Sequence, residues 1–410
     1  MTAKAAMALA AIVAAAAAAP STAGAQSVTG FWDATVTAGG VEVPFRMELG
    51  GAGSSVTGTF FNGDERVPSS SGEFQNGSLI LRWDEYETKL EATLHDGQLD
   101  GQYTRGTRGA PYPFHAKRFA SAAADVKAPP IAGLWNIQTK SAKGESAWRL
   151  IVRQSGPEVS AAILRVDGDT GTLTGRFHDS TFVLGHFSGA RPLRLEITPQ
   201  SDGTLTVVQN QEAAVTAFRD DQARAKGLPQ PTDPSRFTSV KDPSEPFRWS
   251  APDLNGTIVS STDAKFRNKV VIIDISGSWC PNCHDETPFL VDLYRRYHDR
   301  GLEIVALSFE EAAQLTNPTR LRAFIKHYGI SYTVLLAGEP KDASEKLPQT
   351  VNLNSFPTSF FVGRDGRVKS AHAGFPGKAS GRFHDEAKQE ITRTVEQLLA
   401  ERAQSSAAAR

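Results

Sequence analysis

The chain has 410 residues, 44 of them basic and 45 acidic, for a formal net charge of −1. That length is enough for two or three domains, and the balanced charge, with no basic block or acidic tail, gives no footing to nucleic-acid or membrane-surface binding. Only two cysteines occur in the whole sequence, which excludes a disulfide-stapled scaffold.

Residues 1–25 read as a signal peptide. Lys4 supplies a weak positive start, Ala5 to Ala19 is an uninterrupted apolar run, and Ala23-Gly24-Ala25 is a small-residue cleavage site before Gln26. The run is short for a bilayer span and is mostly alanine. No cysteine follows it to carry a lipid anchor, and no later segment is apolar enough to span a membrane. The expectation is a soluble exported protein, with the periplasm as the compartment and secretion as the alternative.

An internal repeat follows. Residues 30–94 align without gaps to residues 133–197, 103 positions on. Gly30-Phe31-Trp32-Asp33 matches Gly133-Leu134-Trp135-Asn136, and Gly72-Glu73-Phe74 matches Gly175-Arg176-Phe177. Identity and spacing kept together over such a length point to duplication. Each copy reads as β structure: Phe45, Met47 and Leu49 alternate with polar neighbours, as do Leu193, Leu195 and Ile197. Turn signals such as Asn62-Gly63-Asp64, Asn76-Gly77 and Asp202-Gly203 separate short strands. Two antiparallel β modules are predicted, residues 28–120 and 131–219, as small barrels or sandwiches. Trp32, Trp83, Trp135 and Trp148 fall at alternating positions, which places them in a core rather than in ligand pockets.

Residues 220–246 carry Pro229, Pro231, Pro234, Pro243 and Pro246. Prolines this dense remove backbone donors, so this stretch reads as an extended linker, which Phe237 and Val240 could dock.

From residue 247 to 403 the pattern changes to an α/β alternation, with 404–410 as a disordered tail. Lys269 to Ile275 is a continuous apolar run, the mark of a strand buried on both faces. A helix from Glu286 to Arg300, a strand from Leu302 to Leu307, a helix from Leu321 to Tyr328, a hairpin around Arg364-Asp365-Gly366-Arg367 and a last helix from His384 to Ala403 complete the order β-α-β-α-β-β-α.

Both cysteines lie where the first strand meets its helix, in Trp279-Cys280-Pro281-Asn282-Cys283. A lone Cys-x-x-Cys at a strand-to-helix junction reads as a redox dithiol. The helix N-terminus favours negative charge, so Cys280 is expected to be the nucleophilic thiolate and Cys283, one turn in, the resolving thiol. Zinc would need further converging ligands, so no metal is expected. Glu286, three residues past Cys283, returns to the same side of the helix and is a candidate acceptor for the Cys283 proton. Asp274, inside the buried strand, is a second candidate, since a charge there must be paired or neutralised. His284 is expected in solvent, unless it turns inward to stabilise a thiolate.

Residues 247–400 resemble the exported thiol–disulfide oxidoreductases of the TlpA/ResA type, within the thioredoxin fold. The resemblance rests on Phe247 with Pro252-Asp253-Leu254-Asn255-Gly256, the Trp279–Cys283 motif, Glu286-Thr287-Pro288, and Phe356-Pro357-Thr358. It implies that Pro357 is a cis-proline facing the dithiol, and that Trp279, Phe356, Pro357 and Thr358 bind the substrate chain. It further implies dithiol–disulfide exchange without a bound cofactor, on exported proteins carrying disulfides or cysteine pairs, expected to run as a reductase fed by a membrane electron donor. One departure is Ser276-Gly277-Ser278, where the family carries bulkier residues; this is expected to open the floor of the site. The rival readings are a peroxiredoxin-like peroxidase, which would want Thr where Gly277 stands, and a ligand- or protein-binding factor built on the β modules with an accessory redox domain.

Overall fold

The computed structural model describes residues 27–52, 55–120 and 126–401. The expected signal peptide and the expected tail therefore lie outside the described residues. Two nine-stranded antiparallel sheets come first, spanning Gly30–Arg118 and Gly133–Arg219, and each curls around its own core. Period-two burial explains the curl: in Val41–Gly50 every second side chain is buried while its neighbours face outward. Taken from the same starting point, the two sheets run through their strands in the same order.

Matching details recur. Trp32 donates its indole N–H to Val28 O at 2.9 Å, and Trp135 does the same to Ile131 O at 2.9 Å. Arg118 covers the Trp32 ring and Arg219 the Trp135 ring. The modules differ at closure. In the second, Glu158–Arg165 pairs with both Ala147–Ser155 and Leu173–His178, which closes the barrel. In the first, no such strand pairing is found among the described residues; the chain crosses there through Ser69 and Ser70, whose N–H groups donate to Gly58 O and Arg82 O.

The Pro-rich stretch is not wholly extended. Asp220–Ala225 and Pro234–Phe237 are short helices, the second capped by Asp233 with Pro234 at its first position, where a missing N–H costs nothing. It is pinned at both ends. Pro229 O accepts from the Asn136 amide, and Ser239–Val240 pairs with Thr350–Val351.

The C-terminal body is a five-stranded sheet in the order Thr333–Gly338, Leu302–Phe309, Val270–Ser276, Thr358–Val362, Val368–Ala373. The first three are parallel and the last two antiparallel. Helices Pro281–Tyr297, Thr319–Tyr328 and Arg382–Ala400 complete it. This is the thioredoxin-like arrangement. Thr333–Gly338 adds a strand that periodicity missed, because an edge strand is only half covered and short. The active-site helix starts five residues earlier than expected, at Pro281, and continues through Pro288.

Candidate active site

Val270–Ser276 is buried throughout and delivers the chain to the dithiol at its C-terminal end. Cys280 caps the Pro281–Tyr297 helix, with Pro281 at the first helical position. Its sulfur accepts from Cys283 N–H at 3.4 Å, so the unpaired amides of the first turn face the thiol. The Cys280 thiol in turn lies 3.5 Å from Phe356 O, just before the cis peptide bond Phe356–Pro357. Both cysteines are free and only 1% exposed.

Two opposed effects set the Cys280 thiol. Burial pushes its pKa up, but the hydrogen bond with Cys283, the positive charge of Arg191 and the Cys283 N–H together bring it below the ordinary thiol value. Burial and the neighbouring Cys280 hold Cys283 well above it. The pair is thus split into a thiol that ionises more readily and one that ionises less readily, which is the asymmetry that nucleophilic and resolving roles require.

Glu286 and Asp274 converge on the buried side of Cys283. Glu286 is 2% exposed, and its Oε1 accepts from Ser359 Oγ at 3.1 Å. Glu286 Oε2 and Asp274 Oδ1 have no protein partner. Burial raises both carboxyls: Asp274 to about 7, against a hydrogen bond from Ser276, and Glu286 well above its usual range, with Asp274 adding to the effect. A neutral carboxyl is the cheaper state for such an oxygen. Beside Asp274 lies a cavity of ≈ 10 Å³ lined by Ser276, Thr287 and Tyr332 among others, about the size of one water.

Of the remaining predicted residues, Trp279 and Phe356 sit side by side, ring centroids 5.4 Å apart. Thr358 is fully buried and donates to Ser355 O at 2.8 Å, so it shapes the proline loop from beneath. The floor expected to be open at Gly277 is filled instead. The Trp279 indole folds back over it to donate to Phe309 O at 2.8 Å, and a Cβ at Gly277 would collide with that indole. His284 is not in solvent. It is buried, stacked on Tyr86 of the first β module at 4.1 Å, and bonded to Ser278 O and Tyr328 Oη. That burial drives its pKa down to about 3, so it is neutral and supplies no charge to the thiolate.

Sequence reasoning also missed the scaffold beneath the motif. Glu310, wholly buried, accepts from Ser278 N (2.7 Å), Ser278 Oγ (2.8 Å), Ser308 Oγ (2.7 Å) and Arg320 (2.8 Å). Acid, arginine and serines lie up to 42 positions apart, so no local pattern announces them. The β modules reach the site too. Tyr86, Glu65, Asp169, His186 and Arg191 face Pro281, Asn282 and Asp285 across a cavity of ≈ 160 Å³. Trp32, Trp83 and Trp135 are buried in the module cores, and Trp148 packs half-buried against the second. Among the described residues no group of side chains has the arrangement of a metal site, and no helix is long and apolar enough to cross a membrane.

Comparisons with known proteins fall on this same body. Residues 243–371 match the model of the AhpC/TSA family. The thiol-disulfide oxidoreductase ResA of Bacillus thuringiensis is 31% identical over 116 residues, 28% of this chain and 60% of that protein. ResA of Bacillus subtilis is 26% identical over 130 residues, 32% of this chain and 66% of its own. These matches thus cover less than two thirds of the relatives' length. A crystal structure of a thiol:disulfide interchange protein of the thioredoxin family from Chlorobium tepidum is 22% identical, covering 39% of this chain and 99% of that one with a TM-score of 0.30.

Proposed function

We propose, from the premise that residues 247–400 are a TlpA/ResA-like thioredoxin fold, that the chain is an exported thiol–disulfide oxidoreductase acting through Cys280 and Cys283. The observation that carries this reading is the asymmetric dithiol: Cys280 at the helix N-cap with a lowered pKa, Cys283 behind it with a raised one.

In the reducing direction, the Cys280 thiolate attacks one sulfur of a substrate disulfide. A mixed disulfide forms and the other substrate sulfur leaves as a thiolate. With one carboxyl of the Glu286 and Asp274 pair ionised, that carboxylate takes the Cys283 proton, and the Cys283 thiolate attacks the Cys280 sulfur. The second substrate thiolate leaves, and two electrons have passed from the dithiol to the substrate. Glu286 is the primary proton carrier, being hydrogen-bonded in place by Ser359, with Asp274 as its buried neighbour. The Phe356 backbone beside the thiol is the edge on which a substrate strand would pair. No cofactor is required; substrates are exported proteins with disulfides or cysteine pairs, and a membrane electron donor restores the dithiol. The matched strand order and the paired Trp32 and Trp135 contacts support duplication of the β modules.

Pre-reduced protein mixed with excess hydroxyethyl disulfide should release two small thiols per chain, and Cys280→Ser should release none. Equal release from both proteins would overturn the reading.

The AhpC/TSA match favours a second reading, a thiol peroxidase. Against it stands Gly277, where a side chain has no room beneath the Trp279 indole. Cys280-dependent consumption of peroxide, with no reaction towards disulfides, would establish it.

A further inference from the structure

The face of the dithiol from which a substrate would approach is occupied by the chain itself. A loop of the second β module, residues 166–171, lies across it. Asn282, inside the Cys-x-x-Cys motif, donates its amide to Asp167 O at 2.6 Å. Gly168 forms an isolated parallel bridge to Phe375, just beyond the last strand of the C-terminal sheet. Asp169, buried, accepts from both the backbone N–H and the hydroxyl of Ser380.

The contact is built on glycines from both sides. Gly168 has φ +119, and a Cβ there would lie 2.5 Å from Phe375 O and 2.6 Å from the Asn282 amide nitrogen. Gly374, at φ +69, faces it, and a Cβ there would strike Val166 O and Asp167. Only residues without side chains let the two backbones meet this closely. With the loop seated, neither sulfur is open to a folded protein, and a cavity of ≈ 160 Å³ reaches Pro281 and Asn282, the two residues between the cysteines.

We propose that the 166–171 loop is a specificity-determining barrier, which lets small disulfides reach Cys280 and excludes disulfides carried on folded proteins until the loop is released. This rests on the disulfide-exchange reading above and uses the same two-electron step. Asp169 and Gly168 act through the loop's position, not on the reacting sulfurs.

The test uses the full-length, pre-reduced chain with two substrates, hydroxyethyl disulfide and insulin, in wild type, Asp169→Ala, Ser380→Ala and Gly168→Ala. Asp169→Ala and Ser380→Ala remove opposite halves of one latch; Gly168→Ala wedges the backbones apart. Each is expected to raise insulin reduction by about tenfold while leaving the small-disulfide rate within about twofold. Labelling of Cys280 by a polymer-linked maleimide should accelerate with insulin reduction, whereas labelling by iodoacetamide should not. Retention of the small-disulfide rate certifies that each variant is folded, and Ser380→Ala, the mildest change, serves if the others fail to fold. Insulin reduction by wild type as fast as by all folded variants would overturn the barrier. Absence of any Cys280-dependent rate on hydroxyethyl disulfide would instead sink the exchange reading itself.

Discussion

At the scale of single residues, the fold sets two chemically identical thiols apart, one with a lowered and one with a raised pKa. Arg191 is the part of that separation contributed from outside the C-terminal body. It lines the cavity against the helix start, on a backbone with φ +46, a conformation costly for a side chain-bearing residue. Its charge lowers the Cys280 pKa. Arg191→Ala should move the midpoint of iodoacetamide labelling against pH upward by about one pH unit; an unmoved midpoint would remove Arg191 from the site. The buried acids carry a separate signature. Asp274 is raised by burial from 3.8 to about 7. Between those values the folded chain holds a proton that the unfolded chain has lost, so stability falls as pH rises through this window. Asp274→Asn removes that dependence. Its urea midpoint should therefore gain on wild type between pH 4 and pH 8, and parallel curves would mean that Asp274 is not protonated in the fold. The position of Cys280 and Cys283 at the start of a helix was legible from spacing. The neutral, buried His284 was not, because its partner Tyr86 lies about 200 positions away in another module.

At the scale of elements, strand, loop and helix hold one another at the motif. Val270–Ser276 runs into Gly277-Ser278-Trp279, and Glu310 at the end of the neighbouring strand grips Ser278 by its backbone and hydroxyl. Arg320 closes the network with Glu310 at 2.8 Å, both side chains wholly buried. Removing Glu310 leaves the buried Arg320 with one partly exposed partner, Glu311, and takes the acceptor from Ser278 and Ser308. Glu310→Ala should therefore cost about 3–5 kcal/mol in urea unfolding, and Glu310→Gln, which keeps two acceptors and the shape, distinctly less. A loss under about 1 kcal/mol for Glu310→Ala would show that the network does not hold the loop. Elements with strong periodicity were readable: the Val270–Ser276 and Leu302–Phe309 strands are buried end to end, as their apolar runs required. The Thr333–Gly338 edge strand and the two short helices of the proline-rich stretch were not, since half-covered or four-to-six-residue elements leave little pattern.

At the scale of the whole molecule, the β modules wall the dithiol site as well as neighbouring it. The alternation of Phe45, Met47 and Leu49 marked out a strand, and every second side chain there is buried. What no local pattern carries is where the modules sit. Gly168, Asp169 and Tyr86 are ordinary turn and core residues until the C-terminal body is placed against them, through contacts spanning about 200 residues of chain. The arrangement puts a helix-capped thiol, two buried carboxyls and a fitted loop at one junction, and the account stands on that thiol forming a covalent bond with a substrate sulfur. The most direct measurement is trapping with Cys283→Ser, which can attack but not resolve. Incubated with hydroxyethyl disulfide and read by intact mass, it should gain one mercaptoethanol unit mapped to Cys280, while Cys280→Ser gains none at the same time point. A Cys283→Ser protein that stays unmodified, or a Cys280→Ser protein that is labelled equally fast at Cys283, would contradict the account.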